Sequence, residues 1–361
     1  MIDRPPQALS ELVPRDPLES YRLMTPCLQE TMTASNASSR ICRICQNVGP
    51  SEVYRTQEMM FGYRDTFTYF QCSCCGCLQI ETVPADMAKY YPPAYYSLAP
   101  ATPQPTSRGV IARTRAALAR KRDRYALFRR GLLGALLFKS SPDDSYRSVS
   151  DIGLTMTSRV LDVGCGSGER LLALQRAGLR CLLGVDAFVD SDIVYPNGVH
   201  VRNGTIHDID DIFDVIMFHH SFEHLSDPLA TIQSVARIMA PDGVCLIRTP
   251  TVSSYAWEHY RERWVQLDPP RHFFVHSLES MRQLASHVGL RVERTVYDST
   301  AFQFWGSEQY MNDIPLHSER SHLVNPKNSM FSAHSILQFG AAARRLNAQG
   351  RGDQAAFYLT R

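Results

Sequence analysis

Six of the ten cysteines lie between residues 42 and 77, as Cys42-x-x-Cys45 and then Cys72, Cys74, Cys75 and Cys77. A C-x-x-C pair sets two thiolates on one tight turn, and two such pairs complete the tetrahedron of a closed structural zinc site. The second pair reads either as Cys72 with Cys75 or as Cys74 with Cys77. Gly76 favours the first choice, because the residue after the second ligand must turn back, and glycine takes positive φ freely. The expected ligands are therefore Cys42, Cys45, Cys72 and Cys75, with Cys74 and Cys77 as bystanders. Cys165, Cys181 and Cys245 read as small apolar residues beside core strands.

A second group is the stretch Val160-Leu161-Asp162-Val163-Gly164-Cys165-Gly166-Ser167-Gly168, followed by the helical run from Glu169 to Ala177 and a closing Gly178. A strand, a glycine-rich turn and a helix start make a site for a nucleotide-like ligand, because glycines admit the ligand to the backbone and free N–H groups point at it. The spacing is Gly164-x-Gly166-x-Gly168, which differs from the G-x-G-x-x-G of dinucleotide sites. Asp186 ends the next strand, where a carboxylate can accept from both hydroxyls of a ribose.

Further along stand His219, His220, Glu223 and His224. Positions 220, 223 and 224 share one helical face, so two imidazoles and a carboxylate there could hold a divalent ion. Imidazole suits magnesium poorly, and His220 or His224 is expected instead to act as a base or substrate contact. An aromatic stretch follows, with Tyr255, Trp257, Tyr260 and Trp264, then Asp268, Arg271 and His272. Such a surface could stack on a sugar ring, with Arg271 against a phosphate or carboxylate and His272 as a second base.

The elements that must position these residues alternate in the manner of a parallel α/β sheet. Strands are expected at 159–163, 181–185, 214–218 and 244–248, with helices near 168–177 and 228–239, the latter begun by Asp227 and Pro228. A helix from Ser277 to Val288, a strand at 290–298, a helix near 333–347 and a last strand at 355–360 complete this region. The chain divides into a flexible arm at 1–40, a zinc-binding unit at 41–98 and a linker at 99–147, before the α/β domain at 148–361. The tyrosines of 90–96 would pack one unit on the other or line a substrate entrance.

Composition excludes several classes. Apolar residues make 44% of the 361, charged residues 20%, and the formal net charge is +2, so charge alone does not argue for nucleic acid. No apolar run has the length of a membrane span, and the N-terminus lacks a secretory signal, which leads us to expect a cytoplasmic protein. Within 108–139 basic residues flank the run Leu132-Leu133-Gly134-Ala135-Leu136-Leu137-Phe138. That pattern suits either an interdomain helix with a solvated face or peripheral contact with an anionic membrane.

Residues 159–250 resemble a class I S-adenosylmethionine-dependent methyltransferase. The resemblance rests on the Asp162-to-Gly168 string, Asp186, the run Phe213-Asp214-Val215-Ile216-Met217 with Phe222-Glu223-His224-Leu225-Ser226-Asp227-Pro228, and the turn Pro241-Asp242-Gly243-Val244. It implies a Rossmann-like, seven-stranded sheet with a reversed last hairpin. It also implies cofactor contacts from Asp162, Gly164, Gly166, Gly168 and His219, with Asp186 on the ribose. The cysteine unit and its tyrosine tail are similar to the zinc-binding domain that precedes sugar methyltransferases of surface-polysaccharide pathways. The expectation is methyl transfer to a sugar or glycan intermediate at oxygen, with catalysis by His220, His224 or His272. The rival acceptor is a quinol, a phenol or a lipid-linked molecule. The intact Asp162, glycines and Asp186 argue against a non-catalytic scaffold, and the oligomeric state stays open.

Overall fold

A computed structural model describes residues 40–92, 109–140 and 146–361. The expected N-terminal arm, the proline-rich start of the linker and Tyr95 with Tyr96 fall outside the described residues.

The cysteine unit opens with a two-residue hairpin, β1 (Arg40–Ile41) and β2 (Val48–Gly49). β3 (Ser51–Gln57), β4 (Thr66–Cys72) and β5 (Leu78–Ile80) then form an antiparallel meander. Two helices follow, α1 (Val110–Phe128) and α2 (Leu132–Ser140), folded back on each other through a turn in which Arg129 takes φ +55°. A single turn, α3 (Arg147–Ser150), leads into the large sheet.

That sheet begins with β6 (Arg159–Val163), α4 (Glu169–Ala177) and β7 (Cys181–Asp186). β8 (Ile193–Val194) and β9 (His200–Asn203) lead to β10 (Phe213–His219), α5 (Pro228–Ile238) and β11 (Met239–Pro250). After α6 (Tyr255–Tyr260), β12 (Phe274–Val275) and α7 (Leu278–Ser286) come β13 (Arg291–Tyr297), α8 (Phe302–Met311), α9 (Ala333–Ala348) and β14 (Gln354–Thr360). Strand order is β13-β14-β11-β10-β6-β7-β9-β8. β14 runs antiparallel to both β11 and β13, while β11, β10, β6, β7 and β9 are parallel. The strand count differs from the expected seven: β8 adds a two-residue antiparallel edge, so the sheet has eight strands among the described residues. The mixed sheet with a reversed strand near one edge is as expected.

Parallel strands covered by helices on both faces are apolar on both faces. This is why Val160, Leu161, Ile216, Met217, Phe218, Leu246 and Ile247 are all buried. The turn expected at Pro241-Asp242-Gly243 lies inside β11, where the register against β10 shifts between Phe213 and Val215. Asp227 caps α5 by accepting from Ala230 N at 2.9 Å.

The cysteine unit is not built from its own residues alone. β12, from the C-terminal region, pairs with β5 and completes a four-stranded sheet in the order β12-β5-β4-β3. Between the two units lies a second core, where Trp257 meets Tyr54 edge to face at 4.9 Å and Trp264 is fully buried. The aromatic stretch expected to face a sugar is therefore mostly interior. Once the two units share a sheet, their junction needs large apolar side chains to exclude water. No helix among the described residues is long and apolar enough to cross a membrane.

Candidate active site

β6 is the first strand of the sheet, and the chain continues from it to β7 on one side and later to β10 on the other. Such a reversal opens a crevice at the strand C-termini. A cavity of about 900 Å³ lies there, lined by the glycine turn, Asp186, Phe188, His219, His220 and His224, and also by Tyr91, Tyr146 and Val149.

The turn needs its glycines. Gly164, Gly166 and Gly168 have φ of +71°, +54° and +84°. A Cβ on Gly164 would collide with Ser221 Cβ, and one on Gly168 would come within 2.9 Å of Val201 Cγ2. Asp186 braces the turn from the next strand: Gly166 N donates to Oδ2 at 2.7 Å and Phe188 N to Oδ1 at 2.8 Å. Each oxygen keeps a second lone pair for a ligand hydroxyl. Burial pushes the Asp162 carboxyl up to about 7, with Asp186 adding to the rise and Arg170 opposing it. Both ring nitrogens of His219 are buried without a hydrogen-bond partner among the described residues, and burial and the nearby Arg170 and Arg248 hold that ring neutral. A glycine cradle, two carboxylates and an orphaned imidazole on one cavity wall fit a nucleoside bearing a cationic tail.

The histidines divide by their partners. His220 sits at φ +53°, in the left-handed region. Arg248 donates to its Nε2 at 2.5 Å, and Nδ1 faces Glu223 Oε1 at 3.3 Å. An arginine only donates, so Nε2 is an acceptor and Nδ1 carries the proton. Both nitrogens are then engaged, which takes His220 out of the role of base in this geometry. His224 Nδ1 lies 2.8 Å from Arg271 O and 3.3 Å from the Tyr91 hydroxyl. A carbonyl only accepts, so Nδ1 carries the proton and Nε2 keeps its lone pair. His272 does not line the cavity. It lies behind His224, the two rings edge to face at 4.8 Å, with Nδ1 2.9 Å from Gln266 O. Burial and His224 lower its pKa to about 4.

Beneath these rings Glu223 is wholly buried and accepts from Thr249 Oγ1 at 2.8 Å. Burial pushes its pKa up, but the hydrogen bond from His220 and the electrostatic influence of the neighbouring imidazoles outweigh that and hold it ionised. The expected face of His220, Glu223 and His224 therefore gives way to a cluster of Glu223, His224 and His272, whose donor atoms lie within 4.8 Å of one another. Arg271 is not available to an anionic substrate. It is fully buried, bidentate on Asp268 at 2.9 and 2.6 Å, and 2.8 Å from Glu58. Tyr91, one of the tyrosines offered either for packing or for a substrate entrance, borders the cavity, while sequence reasoning did not foresee Arg248 as the clamp on His220, since nothing local marks it.

A second site lies in the cysteine unit. The sulfurs of Cys42, Cys45, Cys72 and Cys75 all lie within 4.8 Å of one another. The two turns repeat one hydrogen-bond pattern: Gln46 N to Cys42 O and Gly76 N to Cys72 O, each 2.9 Å. Gln46 and Gly76 take φ of +57° and +71°. Cys77 points elsewhere, its thiol 3.6 Å from Val275 O. Thiols this close cannot all ionise unaided: the hydrogen bond to Cys72 and burial raise Cys42 to about 11. A tetrahedral cation of soft-ligand preference fits the four sulfurs.

The pattern of the methyltransferase-domain family matches residues 111–295, just over half of the chain. Curated relatives include the ubiquinone biosynthesis O-methyltransferase of Haemophilus ducreyi, 32% identical over an alignment of 106 residues that covers 25% of this chain and 44% of that protein. The uncharacterized methyltransferase YcgJ of Bacillus subtilis is 33% identical over 141 residues, 36% of this chain and 50% of that protein. The chain thus spans half or less of the length of these relatives. Among solved structures, the cyclopropane synthase MmaA2 from Mycobacterium tuberculosis is 16% identical, with a TM-score of 0.38 over 60% of this chain and 83% of that one. With the glycine turn, its two carboxylates and the reversed sheet edge in place, the chain belongs to the methyltransferase-domain family and carries a class I S-adenosylmethionine-dependent methyltransferase domain.

Proposed function

We propose that the chain transfers a methyl group to a hydroxyl of a sugar or glycan intermediate, with His224 as general base. The observation that carries the base is His224 itself, whose Nδ1 faces Arg271 O and whose ring borders the cavity. S-adenosylmethionine supplies an electrophilic methyl on a sulfonium. The chain then has to align a nucleophile and remove its proton. The acceptor O–H proton passes to His224 Nε2, and the buried Glu223 carboxylate stabilises the resulting imidazolium. His272, packed against His224 from behind, fixes the ring plane. His219 and Asp162 hold the cofactor, and Asp186 holds its ribose while bracing Gly166. Zinc on Cys42, Cys45, Cys72 and Cys75 would be structural, since four protein ligands leave no open position.

The sugar reading draws on the cysteine unit, which brings Tyr91 to the cavity and lies outside the matched family region. The burial of Trp257 and Trp264 removes one of its supports. A quinol or phenol acceptor is the second reading. The Tyr91–Phe188 pair, stacked at 6.0 Å on the cavity wall, and the names of the curated relatives favour it. Incubating the protein with methyl-labelled cofactor, nucleotide sugars, lipid-linked glycans and catechols, then solving the products by NMR, separates the two. A methyl ether on a sugar is the expected product. Methylation of catechols alone would replace the sugar, and a methyl on carbon would overturn transfer to oxygen.

A further inference from the structure

The hairpin of α1 and α2 has one inward and one outward side. Inward, Gly134 lets α2 close on α1, since a Cβ there would come within 2.7 Å of Tyr125 Cβ, and Phe138 packs against Tyr125 at 5.8 Å. Outward, Leu132 is 88% exposed and Leu136 67%, with Leu133 beside them. Residues 132 and 136 are one helical turn apart and share a face. The same hairpin exposes cations: Arg120, Lys121 and Arg124 on α1, Arg129 and Arg130 in the turn, and Lys139 on α2. The sole acid of 109–140, Asp123, is buried and paired with Arg122 at 2.7 Å. An apolar ridge on a hairpin whose exposed charges are all positive matches a surface that is apolar within and anionic outside, and few proteins present that combination. Tyr146 and Val149, a few residues after α2, line the cavity, so whatever holds the hairpin holds the cavity wall near it.

We propose that this hairpin docks the chain on an anionic lipid surface, with Leu132 and Leu136 entering the headgroup layer. The inference does not depend on which acceptor is methylated. The test is flotation of the full chain with vesicles of phosphatidylcholine alone and of phosphatidylcholine mixed with phosphatidylglycerol. Flotation is expected only with the mixed vesicles. The double variant Leu132→Asp/Leu136→Asp should reduce the vesicle-bound fraction about tenfold or more, as loss of buried apolar groups at an interface requires. Arg130→Glu/Lys139→Glu should weaken binding to the mixed vesicles and make it less sensitive to salt. Cofactor affinity, measured by calorimetry, should be unchanged in both variants and so reports that they fold. Absence of flotation, equal flotation on neutral vesicles, or unchanged flotation of the leucine variant would overturn the proposal. A concentration-dependent dimer that the leucine variant abolishes would overturn it too, by assigning the ridge to a second copy of the chain.

Discussion

His224 and Asp162 carry the sharpest expectations at the scale of single residues. If His224 Nε2 takes the acceptor proton, His224→Ala should lower kcat by about 10²- to 10⁴-fold and leave cofactor affinity alone. Equal kcat would move the base elsewhere. Asp162 connects the site to pH. Its folded pKa, about 7, lies above the ordinary 3.8. The stability tied to its protonated form is therefore present below about 4 and is lost as pH rises to about 7. A cationic cofactor beside it favours the ionised form. Cofactor affinity should thus climb as pH rises toward 7 and level off above it, with proton release below 7. Calorimetry in two buffers of different ionisation enthalpy measures this. Asp162→Asn should flatten the profile, and a flat wild-type profile would take Asp162 out of cofactor contact.

At the scale of elements, the glycine turn and the cysteine knuckles are both built on positive φ. Gly164→Ala sets a Cβ against Ser221 in a conformation that L residues avoid. The strain is about 1–3 kcal/mol, so thermal melting should drop and cofactor binding should fail before folding does. Full binding by this variant would show that the turn can relax. The knuckles should hold about one zinc per chain. Cys45→Ser or a strong chelator should remove it and lower the melting temperature, because the sulfurs tie the β1–β2 hairpin to the turn after β4. The motif strings made these elements legible. The strand at 159–163, the cap at Asp227 and the helix near 333–347 lie where local pattern put them, since each is fixed by neighbours a few residues apart. α8 and β12 carried no such signal. α8 buries Gln303, Ser307 and Gln309, polar residues that a periodicity argument places outside.

At the scale of the molecule, Arg271 joins the units. It binds Asp268 beside the active site and Glu58 in the cysteine unit, with none of the three in appreciable contact with water. Glu58 also accepts from Phe61 N and Tyr63 N, each at 2.9 Å. Arg271→Met would leave two buried carboxylates facing each other, a loss of about 3–5 kcal/mol. Chemical denaturation should register it as a fall in midpoint for the whole chain, and a loss below about 1 kcal/mol would mean that water or a proton replaces the guanidinium. Because Arg271 O also holds His224 Nδ1, the same residue links the unit junction to His224.

By itself the sequence determined the glycine turn, the four cysteines that converge and the positions of most strands of the large sheet. These depend on side-chain type and on spacing within a few residues, which bond geometry converts directly into turns and faces. Only the tertiary structure decided the surroundings of the histidines and aromatics. His220 is occupied by Arg248 from β11, His224 is oriented by a carbonyl 47 residues away, and the tryptophans are covered by a strand unit some 200 residues earlier. Burial and hydrogen-bond partnership across such separations are set by packing, and packing is a property of the folded chain that no local stretch contains.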